Sequence, residues 1–507
     1  MGISGFATAE ATRDRAQRHP AVAFAPLGRS GFTCSRAGFG GYRIGTSAPA
    51  HREALYRALR GGINLIDTSA NYADGESEIL VGQVLAECLR EGSLWREAVI
   101  VVTKAGYLQG KNHALSRQRR KAGNPFPELV PYAEGLEHCI HPEFLEDQIT
   151  RSLDRLALSG IDVLLLHNPE YYLSWAARQG VALQRARDTY ADRLQRAFAH
   201  LEKEVDRGRI RFYGVSSNTF PAAADGRDFT SLSRVIACAQ AVKSEHHLAV
   251  IQFPMNLFEP GAVLEANQPE GATLLDTALR FDLGTLVNRP LNAFDGSRLV
   301  RLADVPELAP LPQEAIRERL HDLAAGESHF FQEILPGLGL GEDLSARITE
   351  QLAMAEALAA HFDRYETYDN WLQIQNEHIR PRADGVLDFL DRKADDPALM
   401  NWCRDYRERL DTAVSAVSGH YAAPAAARIA AVKAAVRQAD ADWDVDQPLS
   451  QMALRALQST RGISSVLVGM RRTAYVEDVL AATASAGAAA DRKPGWAKLK
   501  TRLDHRP

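Results

Sequence analysis

The chain has 507 residues, 46% hydrophobic and 24% charged, with acids and bases interspersed to a formal net charge of −5. This is an ordinary globular composition that excludes a basic nucleic-acid surface, and no window is apolar enough to span a bilayer. Five scattered cysteines (Cys34, Cys88, Cys139, Cys238, Cys403) without CxxC spacing argue against a disulfide framework and against a zinc or iron–sulfur site. The N-terminus lacks a signal peptide's apolar core, so the expected location is cytoplasmic.

From Ala37 onward, strand-like runs alternate with amphipathic helical patterns, which predicts repeated βα units around a parallel sheet. The first strand is predicted over Ala37 to Ile44, with a helix over Arg52 to Arg60. The second strand ends at Asp67 and is followed by a helix from Glu76 to about Leu89. The third ends at Lys104, and its helix carries Phe144, Ile149, Leu153 and Leu156 at helical spacing. The fourth ends at His167, with a helix around Leu194 to Val205. The fifth is Ile210 to Val215, the sixth Ala249 to Phe253 and the seventh Thr285 to Asn288. The eighth is Ser464 to Val468, preceded by a helix over Leu449 to Leu457. Eight strands with eight crossovers predict an α/β fold, a (β/α)8 TIM barrel.

Three segments break the rhythm. Tyr107 to Ile140 follows strand three, and Asn168 to Thr189 follows strand four. The third, 294–446, is long, rich in Ala, Arg and Glu, and helical in period. A structureless loop of that size is implausible, so it reads as an inserted all-helical subdomain. Since all three follow strands, they are expected to rise from the C-terminal, catalytic face as walls or a lid. The expected domains are an N-terminal extension (1–26), a barrel (27–293 and 447–490), the helical insertion (294–446) and a C-terminal tail (491–507).

Four ionisable groups of different kinds, Asp67, Tyr72, Lys104 and His167, fall at or just past consecutive strand ends, where α/β barrels place their chemistry. Tyrosine, lysine, aspartate and histidine converging there can protonate a carbonyl oxygen while a hydride arrives from the other side. The surrounding pieces are GFGGYRIG, GINLIDTSANY, VVTKAG, LLLHNP, YGVSS, VIQFPMN, NRPL and SSVLVGM, one for each strand in order. In this ordered series the chain resembles an aldo-keto reductase over roughly Leu27 to Leu291 and Pro448 to Ala482. The helical insertion has no counterpart in the common short members.

By that resemblance Tyr72 is the general acid, Asp67 and Lys104 tune it, and His167 orients the substrate carbonyl. The chemistry agrees: a phenol is a weak acid with a pKa of about 10, and an adjacent ammonium stabilises the phenolate. An imidazole N–H near the carbonyl oxygen stabilises charge developing there. The resemblance also implies a nicotinamide cofactor whose carboxamide is held by Ser216, Ser217 and Gln252. The family's stacking aromatic falls at Asn288, which offers no such face, and Arg289 is a candidate replacement. Further cofactor contacts are implied for Gly41, Tyr42, Asp67, Pro290 and Leu291, and for Gly469, Arg471, Arg472 and Glu477 after strand eight. Guanidinium forks chelate phosphate well, so Arg471 and Arg472 favour NADP(H) over NAD(H).

Two other clusters invite a ligand. Glu137-His138-Cys139-Ile140-His141 has metal-ligand residue types but no second cluster to complete a site. Asn370 to His378, around Trp371, combines an aromatic with amides, as do both sugar-binding walls and ordinary helix contacts. The expected function is hydride transfer between a nicotinamide and an aldehyde, ketone or sugar-type alcohol. A sugar dehydrogenase working in the oxidative direction is the alternative within the fold. A nucleotide-binding barrel acting through a protein partner at its insertion is the alternative outside it. The sequence carries no signal of oligomeric state.

Overall fold

A computed structural model describes residues 2–295, 298–392 and 396–504. Eight strands, β1 (Ala37–Gly40), β2 (Leu65–Asp67), β3 (Ile100–Ala105), β4 (Ile161–His167), β5 (Ile210–Ser216), β6 (Leu248–Pro254), β7 (Gly284–Asn288) and β8 (Ser465–Val468), close into a barrel. Every neighbouring pair is parallel, and β8 pairs with β1 to complete the ring. Runs such as Asp162-Val163-Leu164-Leu165-Leu166 do not alternate in polarity because parallel strands of this kind are buried on both faces.

Each strand is followed by one barrel helix, with further helices in some of the connections: α1 (Pro49–Arg60), α2 (Glu76–Arg90), α3 (Pro142–Leu156), α4 (Leu183–Asp206), α5 (Leu232–Val242), α6 (Leu274–Arg280), α7 (Leu449–Gln458) and α8 (Thr473–Ala484). The predicted first strand ran to Ile44, but the structure ends it at Gly40. The Gly41 N–H makes the last ladder bond, to the Asp67 carbonyl (2.7 Å), and the chain then turns away, with Arg43 at a left-handed φ of 64°. The fourth helix is longer than its periodic core suggested, beginning at Leu183 instead of Leu194.

The N-terminal end of the barrel is sealed from below. Ala7, Leu27 and Phe32 pack with Leu65, Val102, Val163, Val250, Leu286 and Leu467 in one apolar cluster. Each fully buried large side chain of this kind contributes about 1.5–3 kcal/mol. Sealing that end leaves the opposite mouth for chemistry.

Register then decides which side chains share a level. A shift between Tyr213 and Gly214 skips Ala249, so Ser216 lies beside both His167 and Gln252. Glycine is required at the shift, since a Cβ on Gly214 would lie 1.8 Å from the Val250 carbonyl oxygen.

Residues Met1–Arg298 and Ala435–Pro507 form one compact unit, and Leu299–Ala434 forms a second. The second unit enters the chain after β7 and precedes α7. It is all-helical apart from the short strand at its start, and its core holds Trp371, Trp402, Tyr406 and Phe330. Phe330 stacks on Trp402 with ring centroids 4.1 Å apart. The indole of Trp371 is sealed in this core and donates to Ser418 Oγ (2.8 Å), so the Asn370–His378 stretch is built on a core contact and not on an open sugar-binding face.

Candidate functional site

Asp67 is the last residue of β2, Lys104 lies near the end of β3, and both are buried. The Lys104 ammonium makes three hydrogen bonds, to Asp67 Oδ2 (2.7 Å), the Thr68 carbonyl (2.9 Å) and the Tyr72 hydroxyl (3.1 Å). A buried ammonium stays charged only with a counter-ion and satisfied N–H groups, and this set supplies both. Burial by itself would lower the Lys104 pKa, but the Asp67 carboxylate and the Tyr72 phenol outweigh it and hold the pKa above the ordinary lysine value. Asp67 is fixed from its other side by Gln252, whose Nε2 donates to Oδ1 (2.8 Å).

Tyr72 opens a short turn in which Ala73 and Asp74 both take left-handed φ values. Lys104 by itself draws the phenol pKa down. The structure gives the opposite net direction, because burial raises it more than Lys104 lowers it. The phenol therefore keeps its proton near neutrality. With all three Lys104 N–H groups committed, the Tyr72 hydroxyl accepts from the ammonium and retains its own hydrogen for another partner.

His167 ends β4, with ring centroids 6.0 Å from Tyr72 in an edge-on arrangement. Burial, then the Lys104 charge, push its pKa well below the ordinary value, so the ring is neutral. Its Nδ1 lies 3.1 Å from Ser69 Oγ. The backbone is held as well: His138 Nε2 lies 2.7 Å from the His167 carbonyl, which can only accept. Burial lowers the His138 pKa to about 4, leaving a neutral ring that donates this bond. His138, singled out in sequence as a ligand-type residue, thus acts as a brace. Gly106 admits the brace, since a Cβ there would meet the His167 carbonyl oxygen at 2.6 Å and His138 Nε2 at 2.8 Å.

The segments after β3 and β4 build an aromatic wall beside these groups. Tyr107 lies edge-on to His167 (4.6 Å) and to Tyr171 (5.2 Å), and Tyr171 stacks on Tyr132 (4.0 Å). Asn168 takes a left-handed φ of 51° and donates to the Tyr107 hydroxyl (2.8 Å). On another side Tyr42, 60% exposed, meets Tyr72 edge-on at 5.3 Å. Glu170 is buried, accepts from the Asn218 N–H (2.8 Å) and has its pKa pushed by burial to about 7.

The residues assigned to a cofactor divide into connected and separate groups. Ser216 Oγ donates to Gln252 Oε1 (3.2 Å), and Asn288 Nδ2 reaches the same oxygen (3.3 Å). Ser216, Gln252, Asn288 and Asp67 therefore form one network. Asn288 Oδ1 is buried and lacks a hydrogen-bond partner among the described residues, so it suits the N–H of a bound carboxamide. The Ser217 hydroxyl faces Thr219 instead (3.2 Å) and stands outside that network. Arg289, φ 54°, is held by Glu259 (3.0 Å) with its guanidinium 5.3 Å from the Phe294 ring centre. Pro290 is buried and Leu291 partly so.

Gly41 is closely packed, with 2.8 Å between its virtual Cβ and Ser77 Oγ. After β8, Gly469 is open to solvent on its Cβ side, and exposed Arg472 is the residue preceding α8. Arg471 is half-buried beside it, and Glu477 pairs with Arg57 of α1 (2.6 Å). The N–H groups of Thr473 and Ala474 at the start of α8 and these guanidiniums together suit a phosphate.

A cluster of Glu146, His200 and Glu204 has metal-ligand types within 4.8 Å. Its carboxylates are already engaged by Arg207 (2.9 and 2.8 Å) and Arg209 (3.1 and 2.7 Å). Sequence reasoning missed Ser69, Tyr107, His138 in its bracing role, and Glu170. Ser69, Tyr107 and Glu170 lie two or three residues from Asp67, Lys104 and His167 in the chain, whereas His138 is far from all three.

The Aldo/keto reductase family matches residues 36–291. An NADH-specific methylglyoxal reductase from Escherichia coli is 33% identical over 151 residues, 28% of this chain and 40% of that protein. An NAD(P)H-dependent D-xylose reductase from Scheffersomyces stipitis is 26% identical over 200 residues, 38% of this chain and 51% of that protein. The chain thus spans about half the length, or less, of these curated relatives. Among solved structures, the glycerol dehydrogenase from Gluconobacter oxydans aligns over 96% of both chains at 16% identity with a TM-score of 0.45. No helix among the described residues is long and apolar enough to cross a membrane. With a match that takes in half of the sequence, seven barrel strands and all four tetrad groups, the chain belongs to the aldo/keto reductase family.

Proposed function

We propose that this chain is a nicotinamide-dependent oxidoreductase that interconverts a carbonyl compound and an alcohol, with Tyr72 as the proton donor and acceptor. The observation that carries the reading is the buried Asp67–Lys104–Tyr72 chain at the barrel mouth. A nicotinamide cofactor supplies or takes up the hydride. Tyr72, protonated at neutral pH, gives its hydrogen to the substrate oxygen, and Lys104, already bonded to the same hydroxyl, stabilises the phenolate left behind. Asp67 keeps Lys104 charged and in place, held in turn by Gln252. His167 orients the substrate beside Tyr72, with Tyr107 against its ring.

Ser216, Gln252 and Asn288 hold the carboxamide, since the buried Asn288 oxygen offers an acceptor at the same level. Arg471 and Arg472, with the start of α8, favour a cofactor bearing a 2′-phosphate, so NADP(H) is the preferred form. Aldehydes, ketones and sugars with either cofactor, followed by absorbance of the reduced nicotinamide, provide the test. Turnover of at least one carbonyl or alcohol that disappears in Tyr72→Phe is expected. Wild-type turnover in that variant would overturn the reading.

A further inference from the structure

We propose that Glu170 is a specificity residue that makes the cofactor pocket favour the oxidised, positively charged nicotinamide over the reduced, uncharged one whenever its carboxyl is ionised. The inference rests on the cofactor reading above and adds to it a control, set by pH, on which redox form is held.

Glu170 lies against the stretch that the carboxamide reading requires. The Asn168 N–H donates to the Ser216 carbonyl (2.7 Å), which ties the segment after β4 to the end of β5. Two residues further on, Glu170 Oε1 accepts from the Asn218 N–H (2.8 Å). Between those two anchors the Ser217 N–H donates to the Gln252 carbonyl (3.0 Å). Glu170 thus backs residues 216–218, of which Ser216 shares the Gln252 oxygen with Asn288. Glu170 is 2% exposed, and its Oε2 is buried with no hydrogen-bond partner among the described residues.

No cation pairs with this carboxyl among the described residues. The titratable groups that face it are Asp228 after β5, Tyr190 on α4, Tyr107 after β3 and the adjacent Tyr171. Burial, first among the causes, holds all three phenols above the ordinary tyrosine value, so they stay neutral, and Asp228 is of like charge. An ionised Glu170 is therefore a buried negative charge without a counter-ion, a costly state that a positive charge nearby relieves. Asp67 differs in this respect, because Lys104 already answers its charge. The nicotinamide ring is uncharged when reduced and positive once it has given up its hydride, so only the oxidised form offers Glu170 that relief. Burial raises the Glu170 pKa to about 7. Below that pH the carboxyl is neutral and does not discriminate, and above it the oxidised form gains. Tyr72 and Lys104 are held above their ordinary values and His167 well below its own, so all three keep one protonation state through this range.

The test is a binding measurement and needs no turnover. The full-length protein is titrated calorimetrically with NADP+ and NADPH, or with NAD+ and NADH if that pair binds tighter, at a series of pH values either side of about 7. The quantity read is the Kd of the reduced form divided by that of the oxidised form. This ratio cancels the phosphates, which both forms carry, and any rearrangement of residues 216–218 that affects both. In wild type it is expected to rise about three- to tenfold with increasing pH, the size of one charge interaction through protein. In Glu170→Gln, which keeps the shape and an oxygen for the Asn218 N–H, the ratio should stay at its low-pH value. A flat ratio in wild type, as a merely structural role would give, or a rise that survives in Glu170→Gln, overturns the proposal. A second measurement needs no variant. By linkage, the oxidised form should release more protons on binding near neutrality than the reduced form, counted in buffers of different ionisation enthalpy. Equal counts overturn the proposal as well. Failure to bind either redox form at any pH would sink the cofactor reading and this proposal with it, whereas binding of both with a pH-independent ratio sinks this proposal alone.

Discussion

The barrel holds a buried ion pair at each end, Arg96 with Asp162 where the strands begin and Lys104 with Asp67 where they finish. At the N-terminal end both Asp162 oxygens are used within the protein. One accepts from the Ala7 N–H (2.6 Å), the other from the Val101 N–H (2.8 Å) and the Arg96 guanidinium (2.8 Å). Arg96 also donates to the Val99 carbonyl (2.7 Å). This network ties the N-terminal segment to β3 and β4 beneath an apolar plug. At the C-terminal end the chain of bonds from Gln252 through Asp67 and Lys104 stops at the Tyr72 hydroxyl, which has a hydrogen still to give. Residue types and burial are alike, so neither separates structure from chemistry. What separates them is that the Asp162 carboxylate is engaged on both oxygens by protein donors, whereas the other network ends on a Tyr72 hydroxyl hydrogen that no described residue accepts.

The sharpest way to break this contrast is to remove one group from each end. Tyr72→Phe should lower turnover by at least about 10²–10⁴-fold, the range for losing a positioned acid. Cofactor affinity by fluorescence titration should hardly change, because the hydroxyl acts on the substrate oxygen. Asp162→Ala should do the reverse. It leaves Arg96 buried without its counter-ion and should cost about 3–5 kcal/mol of unfolding free energy in denaturant melts. The folded fraction should keep its cofactor affinity, and a specific loss of turnover would contradict the division of labour.

A third prediction concerns Glu170, buried near the mouth with one oxygen lacking a hydrogen-bond partner among the described residues. Its folded pKa, raised by burial to about 7, exceeds the ordinary 4.5. Above pH 4.5 the unfolded chain releases this proton and the folded chain does not, so stability falls as pH climbs toward 7 and then levels off. The loss is up to about 3 kcal/mol. Glu170→Gln should flatten that part of the pH–stability curve, and an unaltered slope would show that the carboxyl titrates normally. The smallest effect is expected at Arg472. Replacing it with alanine should weaken NADPH binding by roughly 1.5–3 kcal/mol, the worth of one charge-assisted phosphate contact, and NADH binding by less. Equal losses would mean that it does not read the 2′-phosphate.

The order of the βα units and the identity of the strand-end groups are legible in the residue pattern. Buried parallel strands require unbroken apolar runs, and these stand out against amphipathic helices, so Asp67, Lys104 and His167 could be placed at strand ends from pattern alone. Strand limits were legible to within a residue or two except at β1, which makes its last ladder bond at Gly41 and then turns, with Arg43 in the left-handed region. How groups far apart in the chain answer one another is set by the closed barrel. The bulge that sets Ser216 level with Gln252, the brace from His138 to the His167 backbone and the turn of Ser69 toward the His167 ring leave no periodic trace, because each depends on a contact between separate elements. The net direction of the Tyr72 pKa likewise came from burial, which is a property of the folded surroundings. Sequence pattern reports which face of an element is apolar, while hydrogen-bond direction and desolvation depend on distances that exist only once the barrel has closed.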